Sequence, residues 1–499
     1  MFKTPFIAAH RFFWDRHPAL LYAMTFIVCI HDTLFASYPL LIPCFGFYLI
    51  ALRKWPLLTL FPLICLYCTI LYSFDPPVGE TRGLFSISSM QKMETPFHTS
   101  YSYKGTLYLP SGKIPCSIAT QDLQPATTHF FVTGVLEKRA PYDFAFKAKE
   151  WEKVPDSVTF AASRYKMKER FFSFLQSSFP FDPHIADFFF ALTTGELQNR
   201  LLRFHFQRLG LEHILGVSGF HFAMLAALFS FGFISFLPSS WRVFLLLLGL
   251  TAYYFFVGQT PAVERCWLMA SGYLIGKWLN REANGLNLLG VAMLIELIAN
   301  PLALANIGFQ LSFTSCIGIS LFYSLFEKKL RTLWPKRTSK ELSGISPGAK
   351  HLLFLISWIR RALSLTLSVN LAIFPLLLLH SHSFPPLSLL YNLFYPFCAD
   401  AALALFAIST LLHFLFPLFA TPFFFLTQHF AALLLKLASS PPLFLDRPLL
   451  VPKFPSELLP IYFFFLFSWF TTHYYSKAKK EEFPFSGATR YNDRLFWRS

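Results

Sequence analysis

The sequence contains little charge for its length. Only 14% of its 499 residues are Asp, Glu, Lys or Arg, whereas 54% are hydrophobic and 63 are Phe. The mean hydropathy is +0.47. A soluble protein of this composition would leave a large apolar surface exposed even after its core had filled. The composition therefore excludes an ordinary soluble globular protein and indicates a chain with many membrane spans.

Sequence signatures of several enzyme classes are also missing. No G-x-x-x-x-G-K-[ST] phosphate loop occurs, so we do not expect the chain to hydrolyse ATP. The C-x-x-C of Cys65 and Cys68 has neither a second Cys pair nor a His at zinc spacing. The H-x-H of His380 and His382 has no nearby carboxylate to complete a metal site. We therefore expect no enzymatic activity, no catalytic residue, no metal and no cofactor.

Apolar runs that could cross a membrane recur along the chain. We count about twelve runs, several shorter than the ~20 residues of a straight span, and expect about 10–12 transmembrane helices. Three runs precede a polar segment that begins at Asp75, five separate it from the basic loop between Lys328 and Arg361, and four follow that loop. With a cytoplasmic N-terminus, this order puts the basic clusters in the cytoplasm, as the positive-inside rule requires. The C-terminus is then cytoplasmic too, and the polar segment is external.

The polar segment has the sequence pattern of a small β domain. Short runs such as Tyr101–Leu109 and Thr128–Leu136 are separated by Gly, Pro and Ser residues, which favour turns. Basic and aromatic side chains are interleaved along it, as a surface for single-stranded nucleic acid requires. The candidate DNA-contact residues are Lys104, Lys113, Lys138, Arg139, Tyr103 and Trp151. Acidic residues nearly cancel the basic charge, so a purely structural β domain is the alternative.

Polar residues interrupt the apolar run that starts near residue 210. The stretch GLEHILGVSGFHFAML places Glu212, His213, Ser218, Gly219 and His221 at the beginning of a span. Uncompensated polar groups at that depth cost several kcal/mol, and irregular backbone is tolerated there only where it is buried in protein or lines a cavity. We predict that these residues line a polar translocation path. The alternative is that Ser218 caps a helix and the two His side chains reach the interface.

Further candidates for the path follow along the chain. Glu264 and Arg265 come directly after Pro261 and point about 100° apart on a helix, so they cannot form an ideal pair with each other. We predict that Arg265 contacts an anion near the external mouth of the path, with an exposed loop as the alternative. Gln310 and Asn392 add amides to two other spans, although hydrogen bonds between helices would explain them equally well.

In this order, these motifs resemble the membrane domain of the ComEC family of DNA-uptake channel proteins. The resemblance runs from Thr194-Gly195-Glu196 through GLEHILGVSGFHFAML, the Pro261–Met269 segment and NPLALANIGFQLSF to Asn392–Pro396. The N-terminal spans and the β domain fit the external OB-like domain of that family more loosely. The resemblance implies a polytopic α-helical membrane protein with a small extracytoplasmic OB-like domain.

The resemblance also implies a function and partners. The protein would carry one strand of incoming DNA across the bacterial cytoplasmic (inner) membrane during natural transformation. Its partners would be single-stranded DNA, the lipid bilayer, a periplasmic or surface DNA receptor, and a separate cytoplasmic ATPase or helicase and nuclease. The nuclease is expected to be separate because the chain stops at Ser499 without the metallo-β-lactamase-like domain of many relatives. A small-molecule or lipid-linked solute transporter is the alternative, because such a chain would be similarly rich in spans.

These features predict five segments. They are N-terminal transmembrane spans (1–74), an extracytoplasmic β domain (75–160), amphipathic linker helices (161–205), a competence-type transmembrane channel domain (206–476) and a cytoplasmic tail (477–499).

Overall fold

The structure of the chain is a computed structural model. It describes residues 5–482 apart from 36–37, 39, 73–75, 77, 95–98, 111, 121–128, 141, 155–159, 198, 232–236, 336–345, 382, 441–448 and 453. The predicted start of the polar segment at Asp75, the centre of the basic loop, His382 and most of the predicted cytoplasmic tail lie outside the described residues.

The chain begins with helices that pack against one another. They are α1 (Pro5–Arg16), α2 (Pro18–Phe35), α3 (Leu41–Ala51) and, after a 3-10 turn at Trp55–Thr59, α4 (Leu60–Tyr72). The indole Nε1 of Trp14 on α1 donates a hydrogen bond of 2.7 Å to the hydroxyl of Tyr48 on α3. A buried indole N–H needs such a partner in an apolar environment, so this bond fixes α1 beside α3.

A five-stranded closed β barrel follows. Its strands are β1 (Gly79–Glu94), β2 (Thr99–Leu109), β3 (Gly112–Thr120), β4 (His129–Ala140) and β5 (Asp143–Lys153). The strand order around the barrel is β1-β2-β3-β5-β4, with β4 pairing back to β1. Of these pairs, only β3 with β5 is parallel. A small five-stranded barrel of this kind is OB-like, which confirms the expected β domain.

Barrel closure depends on a close approach of two backbones at Gly105. This residue pairs with Ile87 of β1, where the register shifts between Ile87 and Ser89. A Cβ atom at position 105 would lie 2.1 Å from the carbonyl oxygen of Ser86. Only glycine leaves room for that approach, and such sites typically mark a bulge or a tight bend in a barrel strand.

Helices make up most of the remaining chain. They are α5 (Phe160–Ser178), α6 (Pro183–Thr194), α7 (Arg200–Arg208), α8 (Gly219–Phe231), α9 (Ser239–Val257), α10 (Pro261–Trp278), α11 (Gly285–Ala299), α12 (Ile307–Leu333), α13 (Pro347–Ser381), α14 (Leu387–Leu415), α15 (Pro417–Ser439) and α16 (Leu458–Glu482). Two 3-10 turns, Glu212–Ile214 and Pro301–Ala305, and the short strands β6 (Ser383–Phe384) and β7 (Leu449–Leu450) connect them.

Many of these helices are suited to crossing a membrane. Within the described residues, eight helical segments are long and apolar enough, and they are Pro18–Phe35, Trp55–Tyr72, Glu212–Ser230, Ser240–Val257, Ile307–Leu333, Gly348–Ser381, Leu387–Leu415 and Pro417–Ser439. The helices α3 and α11 are apolar but shorter. These segments confirm the expected polytopic helical membrane protein.

Contacts between helix ends define two opposite faces of the bundle. On the first, which we call the barrel face, the ring of Tyr142 in the β4–β5 turn lies 6.4 Å from Phe35 at the end of α2 and 5.5 Å from Tyr72 at the end of α4. The barrel therefore sits on the ends of these two helices.

The second face, which we call the far face, gathers the opposite helix ends. Asn287 in the first turn of α11 donates a 3.0 Å hydrogen bond to the carbonyl oxygen of Arg16. The guanidinium of Arg16 in turn donates to the hydroxyl of Tyr474 on α16, at 3.2 Å. Lys54 after α3 forms a 2.6 Å ion pair with Asp15. Both basic residues and the start of α11 thus lie at the end of the bundle away from the barrel.

Candidate translocation site

The first turn of α8 contains a buried histidine with one unused nitrogen. Nδ1 of His221 accepts a 2.8 Å hydrogen bond from the backbone N–H of Ser218 and lies 2.9 Å from the Ser218 hydroxyl. The neutral ring therefore carries its proton on Nε2. Only 3% of His221 is exposed, and its Nε2 has no hydrogen-bond partner among the described residues. His221 is thus a buried polar residue with an unused donor, whereas Ser218 is half-buried and Gly219 is exposed.

The guanidinium of Arg265 lies among neutral partners. Thr260 caps the start of α10, and Arg265 follows in its second turn. Arg265 Nε donates a 2.8 Å hydrogen bond to the hydroxyl of Ser312 on α12, and Nη1 and Nη2 donate to the sulfur atoms of Cys316 and Cys266. Within the described part of the chain, none of its hydrogen-bond partners is a carboxylate. A cation so placed among apolar helices is costly, which makes Arg265 a candidate functional residue.

The α8 motif and Arg265 belong to one site. A Cβ atom at Gly219 would lie 3.7 Å from the sulfur of Cys266, the neighbour of Arg265 on α10. The first turn of α8, the second turn of α10 and the second and third turns of α12 therefore meet, although they are far apart in sequence. We call this group the Arg265 site, and it consists of Ser218, Gly219, His221, Arg265, Cys266, Ser312 and Cys316.

A buried glutamate that the sequence interpretation missed lies next to the Arg265 site. Glu296 on α11 is 5% exposed, and its Oε2 has no hydrogen-bond partner among the described residues. Both Glu264 and Arg265 of α10 lie within electrostatic range of it. Unlike Glu296, the carboxylate of Glu264 has a partner, since it accepts a 3.3 Å hydrogen bond from the Tyr254 hydroxyl. The sequence did contain a signal, because Glu296 is the only charged residue in the helix GLNLLGVAMLIELIA.

Two of the predicted path residues lie in different surroundings at the surface. Glu212 is exposed, accepts a 2.9 Å hydrogen bond from Gln207 and lies 3.8 Å from Arg203 on α7. His213 is also exposed. No described contact brings either side chain to the Arg265 site, and Glu212 instead belongs to a polar surface cluster with α7.

Gln310 and Asn392 also occupy separate positions. Gln310 donates a 2.9 Å hydrogen bond to the carbonyl oxygen of Leu304, and its amide oxygen lies 3.1 Å from His380 on α13. It points about 200° away from Ser312 around α12, because the two residues are two positions apart. Asn392 is half-buried on α14, and its amide oxygen has no partner within the described residues. Gln310 therefore joins neighbouring segments, and Asn392 is a second, separate polar position in the bundle.

Two basic residues of α5 contact the last turn of α9, shortly before Arg265 in the chain. One of them, Arg164, also contacts the barrel. Arg164 donates a 2.6 Å hydrogen bond to the carbonyl oxygen of Phe255 and a 3.3 Å bond to that of Ser88 on β1. Lys168 donates a 2.6 Å hydrogen bond to the carbonyl oxygen of Val257. Phe255 and Val257 belong to the last turn of α9, whose carbonyl groups lack partners within the helix and favour nearby cations. The cations of α5 therefore cap α9.

The same lysine forms a buried ion pair with the family-like T-G-E turn. Lys168 Nζ lies 2.7 Å from Glu196 Oε1, and the two side chains are 6% and 19% exposed. Glu196 follows Gly195, which ends α6 in the left-handed conformation at φ 71°. A Cβ on Gly195 would lie 3.5 Å from the backbone nitrogen of Val217, just before the α8 motif. The ion pair thus joins α5 to the segment beside the Arg265 site.

The barrel corrects one of the two aromatic residues predicted to contact DNA. Tyr103 is fully buried in the barrel core, and its ring lies 5.5 Å from that of Trp151. Trp151 is half-buried and also packs against Phe130 at 5.3 Å. The fully buried ring of Tyr103 cannot stack on a nucleic-acid base, whereas the ring of Trp151 stays partly exposed. Because side chains alternate between the two faces of a strand, Lys104 and Tyr108 on β2 instead point outward.

The outer surface of the barrel is uneven in charge. On strands β1, β4 and β5, three basic residues form ion pairs, and the pairs are Arg82 with Glu152, Lys147 with Glu137, and Lys149 with Glu80. On the β2–β3 face, Lys104 and Lys113 are exposed, and neither has a carboxylate within 4 Å among the described residues. Tyr108, which pairs with Lys113 in the sheet, is 47% exposed. We call Lys104, Tyr108 and Lys113 the β2–β3 patch.

The remaining two basic candidates lie near the end of β4. Lys138 and Arg139 are exposed, and the Lys138 ammonium lies 6.0 Å from the centre of the Phe144 ring. They are close to the β4–β5 turn that contacts α2 and α4 through Tyr142. These two residues are therefore placed beside the membrane spans, away from the β2–β3 patch.

The fold and the site define a polytopic membrane protein with an OB-like barrel and a cationic site inside its helical bundle. The profile of the Competence protein family matches residues 196–474, and the chain belongs to that family. The match includes the whole Arg265 site and Glu296 and begins after the barrel. This membership confirms the resemblance to ComEC proteins.

A curated relative is similar over part of the chain. ComE operon protein 3 of Bacillus subtilis (strain 168) is 30% identical over 243 residues, which are 46% of this chain and 27% of that protein. The matched region thus spans about a quarter of the relative's length. No solved structure matches this chain.

The buried Lys168–Glu196 pair should contribute strongly to stability. Lys168→Ala leaves the Glu196 carboxylate and an α9 carbonyl without their cation, and breaking a buried pair costs about 3–5 kcal/mol. The matched control is Lys147→Ala, which removes an exposed pair worth about 0–1 kcal/mol. Thermal unfolding of the purified variants should show a clearly lower midpoint only for Lys168→Ala. Equal midpoints for the two variants would show that the pair does not hold α5 in place.

Proposed function

We propose that the protein carries single-stranded DNA across the bacterial cytoplasmic membrane during natural transformation, and that the strand passes the Arg265 site. The observation that supports this most directly is a guanidinium whose partners among the described residues are all neutral, in a chain that belongs to the Competence family. Guanidinium groups bind phosphate oxygens with two parallel hydrogen bonds. Ser312, Cys266 and Cys316 would hold Arg265 in place until a phosphodiester replaces some of these weak partners.

The proposed orientation puts the barrel outside and both termini in the cytoplasm. The far face carries Arg16 and Lys54, and Arg281 follows α10 on the same side, next to the start of α11. α12 starts after the 3-10 turn that follows α11 and ends with a basic group, Lys328, Lys329 and Arg331. An excess of basic residues favours the cytoplasmic side of a membrane. The barrel lies at the opposite ends of the helices.

The β2–β3 patch would receive the strand outside the membrane. OB-fold barrels bind oligonucleotides on the face formed by their second and third strands. Here that face combines an exposed tyrosine with two lysines that have no carboxylate within 4 Å in the described part of the chain, and these would provide a stacking surface and phosphate contacts. This replaces the stacking role that the sequence pattern assigned to Tyr103.

The linker helix α5 would guide the strand from the barrel to the site. Its Arg164 contacts both β1 and the end of α9, and α10 with Arg265 begins only a few residues later. The first turns of α8 and α10 therefore open on the side of the bundle where the barrel sits. Partners consistent with this function are an external DNA receptor, and a separate ATPase or helicase and nuclease in the cytoplasm.

Replacing Arg265 tests the proposed function. In a deletion strain complemented with the full chain, we expect Arg265→Gln to lower the transformation frequency about 10- to 100-fold, because a charge-assisted hydrogen bond contributes about 1.5–3 kcal/mol. The matched control is Arg281→Gln, which removes an exposed arginine after α10. Protein levels in the membrane should be equal. Normal transformation by Arg265→Gln would remove Arg265 from the path, and normal transformation by the deletion strain would favour a solute transporter.

The barrel has its own test in the salt dependence of DNA binding. Purified full chain is titrated with a fluorescent oligothymidylate at several salt concentrations. The slope of log K against log salt is negative, and each lost phosphate contact reduces its magnitude by about 0.7. Lys104→Ala combined with Lys113→Ala should therefore reduce the magnitude by about 1.4. The control combines Lys147→Ala with Lys149→Ala, which remove paired lysines from other strands. A control that changes the slope as much would show that the β2–β3 patch is not the binding surface.

A further inference from the structure

We propose that Glu296 binds a proton reversibly and that this proton controls how tightly Arg265 holds a phosphodiester. The inference rests on the proposed function, because it takes Arg265 as the phosphate contact. It assigns to the site a second ligand, the proton, and a residue, Glu296, that the sequence interpretation did not include.

The surroundings of Glu296 make its charge state important. Glu296 lies on the apolar helix α11, and its side chain is almost fully buried in the bundle. Its Oε2 accepts no hydrogen bond from any described residue. Burying an ionised carboxylate without hydrogen-bond donors is very costly, whereas a neutral acid or a carboxylate beside a cation is tolerated. Intramembrane carboxyl groups of this kind are typical of proton-linked transport. Glu296 can therefore exist either protonated or paired with a nearby cation.

Arg265 is the cation that the packing supplies. α11 packs against α2, α10, α12 and the 3-10 turn at Pro301–Ala305. From α10, Arg265 and Glu264 act on Glu296, and Glu264 is engaged with Tyr254. On α12, the sulfur of Cys316 accepts a hydrogen bond from Arg265. α2 carries the titratable residues Tyr22, Cys29, His31 and Asp32, and the 3-10 turn carries none.

Two anions would compete for the same guanidinium. When Glu296 is protonated, Arg265 has only neutral partners, and an entering phosphodiester is the one anion available to it. When Oε2 releases its proton to water, the resulting carboxylate attracts Arg265 and weakens the hold on the phosphate. Only the O–H bond of Glu296 breaks and re-forms. Because linkage is reciprocal, phosphate binding must favour proton uptake by the same factor by which the proton favours phosphate binding.

A binding experiment on the full chain tests this inference. Purified protein in detergent micelles is titrated with a fluorescent oligothymidylate at pH 6 and pH 8. We expect the wild-type protein to bind about tenfold more tightly at pH 6, within the usual range of coupling between two sites. Glu296→Gln mimics the protonated acid and should bind at both pH values with the acid-form affinity. The matched control is Glu282→Gln, an exposed carboxyl before α11, which should behave as the wild type does.

The outcomes separate this inference from the proposed function. Arg265→Gln should bind more weakly and without pH dependence, and wild-type affinity in this variant would overturn the phosphate contact itself. If Arg265→Gln weakens binding but Glu296→Gln keeps the wild-type pH response, the inference alone fails. A wild-type protein without pH response also overturns it. Glu296→Asp retains a titratable group, so a folded Glu296→Asp protein that lost the response would contradict the inference even if Glu296→Gln did not fold.

Discussion

The central constraint in this structure is the positive charge of Arg265 inside an apolar bundle. A guanidinium cannot lose its charge, so the bundle must supply hydrogen-bond partners or a ligand must do so. The structure supplies a hydroxyl and two sulfur atoms, which are weak and neutral partners. The start of α8 packs beside α10 at Cys266 and brings the Ser218–His221 pair to the same place. The site is therefore held together without neutralising its charge.

The barrel and this site are joined by a small number of polar contacts. α5 touches β1 and also caps the last turn of α9, and Lys168 adds the buried pair with Glu196. On the other side of the barrel, Tyr142 packs on the ends of α2 and α4. A displacement of the barrel would thus act on the α9–α10 turn, two helical turns or less from Arg265. The barrel and the Arg265 site are positioned by the same contacts.

The fold could be predicted from the sequence because its signals are local. Long apolar runs indicate membrane spans, and short runs separated by Gly and Pro indicate strands. Parts of the site could not. Side chains alternate along β2, so Tyr103 is buried while Lys104 and Tyr108 are exposed. The alternation is visible in the sequence, but the sequence does not say which set of side chains faces the barrel core. Glu296 was visible as a single acid in an apolar helix, yet its importance depends on packing against α10. Non-local contacts therefore decide which polar residues share a site with Arg265.

The central claim is that a DNA strand passes the Arg265 site, and photo-crosslinking tests it most directly. A photoreactive amino acid replaces Ser312, and labelled DNA with a bulky group at one end is supplied to competent cells so that its transit stalls. The same amino acid at Phe465, which is 67% exposed on α16, provides the comparison. The account predicts a covalent DNA adduct at position 312 and none at position 465. No adduct at 312, or equal adducts at both positions, would contradict it.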